Sequence, residues 1–255
     1  AQARELDALP GELATVVGHQ GRISEAIKEL ETWVTIAQES VGQQFTPVQQ
    51  LRLLHARCGL SQLFIDGNQL TEAREQVEIA ALITKGVAET HASEFELLEQ
   101  LPEVHRQISQ RFRAIDCHEL ADLHATKQLQ ILKQLAANNP GESYFRVKHV
   151  EALTERAEEF SDRNDAARAQ SQYEEAAAIA LHASVSFPDD LSVRRAREGL
   201  LWAQGQYYFD QHDFLGALLL FDQAISLKSD VKHRPIRAWC FALLKSDSAA
   251  REISG

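Results

Sequence analysis

Methionine is missing altogether from the 255 residues, glycine and proline are scarce at 12 and 6, and only three cysteines occur. So few glycines and prolines exclude a turn-rich β architecture, and abundant alanine, leucine, glutamate and glutamine favour long helices. Cys58, Cys117 and Cys240 are odd in number and far apart. That spacing suits neither a disulfide framework nor a zinc site built on paired thiolates, and it fits a reducing compartment. No apolar run approaches the roughly 20 residues a membrane helix needs, and no charged-then-apolar signal segment opens the chain, so a soluble, cytoplasmic protein is expected. The net charge of -11 disfavours nucleic acid and anionic lipid as partners. Neither a phosphate-binding loop, a nucleophile elbow nor a dinucleotide fingerprint occurs, so no enzyme and no cofactor is expected. A chain that lacks methionine and begins at Ala1 is expected to be a piece of something longer, or to have lost modified methionines from its written sequence.

What is present is a repeat. Ala217, Phe221 and Ala224 are matched upstream by Ala169, Tyr173 and Ala176, and again by Ala73, Val77 and Ala80. Ala26 with Leu30 matches the first two places, and Ala121 with Ala125 fills the remaining gap. The anchor alanines are therefore 26, 73, 121, 169 and 217, separated by 47, 48, 48 and 48 residues. Periods of 20 to 50 residues mean stacked supersecondary units. Nine residues before each anchor stands a large apolar residue: Val17, Phe64, Phe112, Phe160 and Tyr208. Twelve before it stands a small one: Ala14, Ser61, Ser109, Ala157 and Gly205. Small residues let two backbones approach and the aromatic fills the space beside them, so the alternation is a packing code. Short polar stretches between the halves, such as DGN at 66–68 and DQHD at 210–213, suit helix ends and caps.

The pattern resembles tetratricopeptide repeats, which run W-x2-L-G-x2-Y and then A-x3-F. The fifth unit carries it best, with Gly205, Tyr208, Ala217, Phe221 and Ala224 in step. The period is about 14 residues longer than the usual one, as in a long-period variant that resembles repeats of bacterial multidomain signalling proteins. Trp33 and Gln128 depart from the pattern, standing where a small residue is expected. The resemblance implies an all-α, right-handed superhelix, an α-solenoid, forming one domain. Its hairpins would span about 9–40, 48–90, 94–137, 143–185 and 190–230, with a capping helix over 235–246 or the first half of a sixth unit there.

Two stretches imitate chemistry. Asp210, His212 and Asp213 could be metal ligands, yet they fall where the other units carry turns, and a solvated turn is expected. HELADLH at 118–124 lacks the second histidine four residues on, because Asp122 stands there, so the zinc-protease pattern fails. No metal site is expected. RRAR at 194–197 reads as a solvated charged face.

The resemblance also implies that the first helix of each hairpin lines a concave groove for a partner protein or peptide. The places carried over are His55, Cys58, Gln62 and Ile65, then Arg106, Gln110 and Arg113, then Glu151, Thr154 and Glu158, and finally Trp202, Gln206 and Phe209. This groove would have a basic middle, an acidic shoulder and an aromatic end, unlike the dense cationic cradle that clamps a chaperone's acidic terminus. A non-catalytic scaffold in a larger bacterial signalling or regulatory protein is expected. The alternative is a sensory domain that closes on a small peptide or ligand, and homodimerisation through the Ala-rich fourth unit is a separate possibility.

Overall fold

The computed structural model describes residues 22–39, 46–90 and 95–227. Ala14 and Val17 of the first hairpin, and the cap expected over 235–246, lie outside them. Nine helices occur among the described residues: α1 (Ile23–Glu39), α2 (Pro47–Asp66), α3 (Leu70–Thr90), α4 (Phe95–Ala114), α5 (His118–Asn138), α6 (Tyr144–Asp162), α7 (Ala166–Ser186), α8 (Leu191–Asp210) and α9 (Phe214–Leu227). The described residues contain no strand, and the all-helical expectation holds. The long period is absorbed by helix length, since α2 to α8 have 19 to 21 residues each.

The turns are copies of one another. Asn68, Asp116, Asn164 and His212 have φ of 57°, 59°, 59° and 63°, and each lies five residues before its anchor alanine. Left-handed backbone is uncommon outside glycine and is most tolerated by Asn, Asp and His. Two bonds close each turn. The residue after the left-handed one donates back to the large apolar place: Gln69 N to Phe64 O (2.7 Å), Cys117 to Phe112 (2.8 Å), Asp165 to Phe160 (2.8 Å) and Asp213 to Tyr208 (2.9 Å). The left-handed residue itself donates three back, as from Asn164 to Ser161 at 2.8 Å. This pairing satisfies the last carbonyls of the first helix. The donor residue then starts the second helix, and its own carbonyl receives the N–H of the anchor alanine, as in Ala169 N to Asp165 O at 2.9 Å. Asp165 and Asp213 add side-chain caps, accepting from Arg168 N (3.2 Å) and Gly216 N (2.9 Å). His212 is therefore the left-handed residue of a repeated turn, as the turn reading of DQHD requires.

All five anchor alanines are fully buried, and the described small places are buried with them. Ser61 Oγ donates to Ala73 O at 3.1 Å and Ser109 Oγ to Ala121 O at 2.8 Å. A serine at the small place thus reaches the carbonyl of the anchor across the hairpin. Gly205 meets the opposite demand: a Cβ there would lie 2.6 Å from Phe221 Cε1, so α8 and α9 approach closely only because it has none. Gln128, out of pattern, is nonetheless buried.

Internal contacts divide the chain into two compact units, Ala1–Ile131 and Leu132–Gly255, with the border inside α5. In the N-terminal unit α2 is apolar on two sides. Leu53, Ala56, Leu60 and Phe64 pack with Ala26, Leu30 and Val34 of α1, while Leu51, Leu54 and Cys58 join Val77 of α3 and Leu101, Val104 and Ile108 of α4. In the C-terminal unit, Val147, Ala183 and Val193 join the ends of α6, α7 and α8. Tyr173 OH donates to Ala203 O (3.4 Å) and Tyr207 OH to Ala166 O (3.2 Å), linking α7 and α8 in both directions. Ser143, before α6, donates to the carboxylate of Asp190, which also caps α8 by accepting from Ser192 N and Val193 N.

Candidate functional site

The first-helix places in the N-terminal unit lie on α2 and α4 and are knitted together. His55 Nδ1 is 3.1 Å from Gln107 Oε1 across the two helices. Glu103 takes a two-pronged donation from Arg106, at 2.8 and 2.6 Å, and a third bond from Gln107 Nε2 at 2.9 Å. Burial opposes the charge on Glu103, but the bonds from Arg106 and Gln107 outweigh it and hold the carboxyl below its usual range. Arg106, expected as part of a basic middle, is thus neutralised by the turn of helix before it. Arg113 Nη2 is 3.5 Å from Ser109 Oγ, and Gln62 Nε2 donates to Asp66 Oδ1 at 2.6 Å. Gln110 and Ile65 are half-buried.

Cys58 lies in the core at 1% exposure instead of in a groove. Its side chain joins the core cluster that holds Leu101, Val104 and Ile108 of α4, and Arg111 of α4 donates to its carbonyl at 3.3 Å. Burial pushes its thiol up to about 12, against the pull of Arg111, which suits an inert core cysteine.

In the C-terminal unit the corresponding places lie on α6 and α8 and leave a cavity of about 300 Å³ between these helices. Glu151, Thr154 and Glu158 line one wall, together with Glu155; Arg195, Gly199 and Ala203 of α8 contribute to the other. Glu151 is paired with Lys148 at 2.8 Å, and Thr154 Oγ1 donates to Val150 O at 2.8 Å. Burial, then the charges of Glu155, Asp162 and Glu159, raise the Glu158 carboxyl above its usual range. Trp202 packs against Phe221 with ring centroids 4.7 Å apart, and Phe209 against Phe214 at 5.4 Å, so the aromatic end is in large part packing within the last hairpin. Gln206 is exposed and donates to Asp210 Oδ1 at 2.9 Å.

Residues in chemical-looking motifs scatter. His118 is the exposed first residue of α5, whereas His124 is buried with His105, their Nδ1 atoms 2.9 Å apart. Burial lowers His105 to about 3 and His124 to about 4, so the pair is neutral at pH 7. The same two places hold Arg57 and Gln76 in the second repeat, bonded at 2.6 Å. Arg194 and Arg195 of the RRAR run are exposed. Among the described residues no group of three or more His, Cys, Asp and Glu is placed to hold a metal ion, and no helix is long and apolar enough to cross a membrane.

No protein-family model matches the chain, and no curated protein matches it. Solved structures do. BtubC (BKLC) from P. vanneervenii is similar at 18% identity with a TM-score of 0.59, over 84% of this chain and 76% of that one. The nearly identical TPR-like repeats of a putative kinesin light chain from Podosopora anserina are similar at 14% identity with a TM-score of 0.48, over 86% and 92%. With hairpins of paired helices, buried anchor alanines and identical turns every 48 residues, the chain has a TPR-like helical-repeat fold.

Proposed function

We propose that this chain is a non-catalytic scaffold that holds a partner protein or peptide on the first-helix face of its hairpins, within a larger bacterial signalling or regulatory protein. The observation that carries this reading is the cavity between α6 and α8, lined on both walls by first-helix residues, among them Glu151, Glu158, Arg195 and Gly199. An open recess with an acidic wall from α6 and a largely apolar wall from α8 suits the side chains of an extended segment better than an enclosed small molecule.

The place eleven residues before each of the last four anchors carries Gln62, Gln110, Glu158 and Gln206, and offers a direct test. A photoreactive amino acid is placed at each of these positions in turn, and at Glu72, Glu78, Glu174 and Gln223 on the second helices as controls. Crosslinks to one partner from the first-helix set, with the controls blank, are the expected result. Crosslinks from the controls alone would move the partner to the opposite face and overturn the reading.

A further inference from the structure

We propose that the cavity between α6 and α8 receives the side chain of an arginine or lysine carried by an extended segment of the partner. This inference rests on the scaffold reading and names the chemistry of the segment.

The repeat supplies an internal control. Between α2 and α4, the corresponding helices of the N-terminal unit, Gln107 and Arg111 cross to His55 and the Cys58 carbonyl, and Glu103 accepts from Gln107 and Arg106 beside them. Advanced by 96 residues, the places of Glu103 and Gln107 hold Gly199 and Ala203, and that of Arg111 holds Tyr207, whose hydroxyl donates instead to Ala166 O on α7. The wall of α8 thus lacks the side chains that close the equivalent space. A Cβ built on Gly199 meets nothing within 4 Å, although glycine inside a helix is unfavourable relative to alanine. No packing need accounts for it.

The facing wall is anionic. Lys148 is paired with Glu151 at 2.8 Å, but Glu158 has no hydrogen bond or ion pair among the described residues. Its charge is opposed by burial and by Glu155, Asp162 and Glu159, so an incoming cation would relieve a repulsion already built into the fold. Across the cavity Arg195 likewise has no hydrogen bond or ion pair among the described residues. A main-chain carbonyl of the bound segment would meet it there and set the segment's direction. At about 300 Å³ the space suits one long side chain, being at the small end of ligand pockets.

The probe is the tripeptide acetyl-Ala-Arg-Ala-amide, titrated into the ¹⁵N-labelled full chain and followed by amide chemical shifts. Its citrulline isostere, which keeps the shape and loses the charge, is the control. The expected result is saturable shifts at Glu155–Glu158 and Gly199–Ala203 with the arginine peptide, at least about tenfold weaker for the isostere, a difference within reach of a single partly desolvated ion pair. Glu158→Gln should weaken binding severalfold, and Gly199→Leu, with unchanged helical circular dichroism, should abolish it. Equal binding of the two peptides, equal binding by wild type and Gly199→Leu, or no shift at these residues would overturn the inference. First-helix crosslinks obtained despite such a result would leave the scaffold reading standing, and their loss would remove both.

Discussion

At the scale of single residues, the repeat decides what each side chain costs to change. Gly205→Ala places a Cβ 2.6 Å from Phe221 Cε1 and 2.8 Å from Cδ1. Overpacking of this kind costs about 1–3 kcal/mol, and a lower urea midpoint with an unchanged slope would show it. Gly199→Ala, only six residues earlier and facing open space, should raise stability by up to about 1 kcal/mol. Acid tests the His105–His124 pair. Both folded-state values are lowered, to about 3 and about 4, so the stability that comes from keeping them neutral is present above about pH 6.5. It falls as the pH drops from there through 4 and 3. Each tenfold rise in proton concentration below pH 6.5 costs about 1.4 kcal/mol per histidine, so between pH 7 and 4.5 the pair should account for a loss of up to about 5 kcal/mol. The double substitution His105→Leu with His124→Gln borrows the residues of the fourth repeat, Leu153 and Gln172. Urea midpoints at the two pH values should show it losing much less than wild type.

At the scale of the element, the turns are the most regular feature of the chain, and His212 is their least favourable occupant. His212→Gly should stabilise the protein by about 1 kcal/mol because glycine takes positive φ without a steric penalty. His212→Val should lower the melting temperature, since a β-branched side chain is disfavoured there. The hairpins themselves were legible in the sequence, because the anchor alanines and the aromatics nine residues earlier are chosen by packing, and packing repeats with the period. Much of the site was not. A period marks places and leaves the chemistry at each place free, so Arg57–Gln76 and His105–His124 occupy one pair of positions with nothing in common to read. Cys58, expected in a groove, is buried in a core cluster with Leu101, Val104 and Ile108 of the next hairpin, contacts that no spacing within one hairpin reveals. Gly199 and Ala203 carry no signal of their own, and Arg195 reads only as part of a charged run, for a related reason: a cavity is made by what a neighbouring helix omits.

At the scale of the whole molecule, most contacts in repeat arrays join nearest neighbours, so stability is distributed along the chain and need not be lost at once. Gly205→Ala should therefore speed amide hydrogen exchange in α8 and α9 and leave α2 and α3 close to their wild-type rates. Uniform acceleration from α2 to α9 would instead show that the chain unfolds as one cooperative block. The left-handed residues at 68, 116, 164 and 212 also bear on how such a chain can change over generations. Any two of these turns are interchangeable as joints, since each closes its first helix and opens its second with the same bonds. Recombination between the stretches that encode them would remove or add 48 residues, or a multiple of 48, and every junction formed would still be a complete turn. Gene length can thus drift in steps of one hairpin without passing through a broken intermediate.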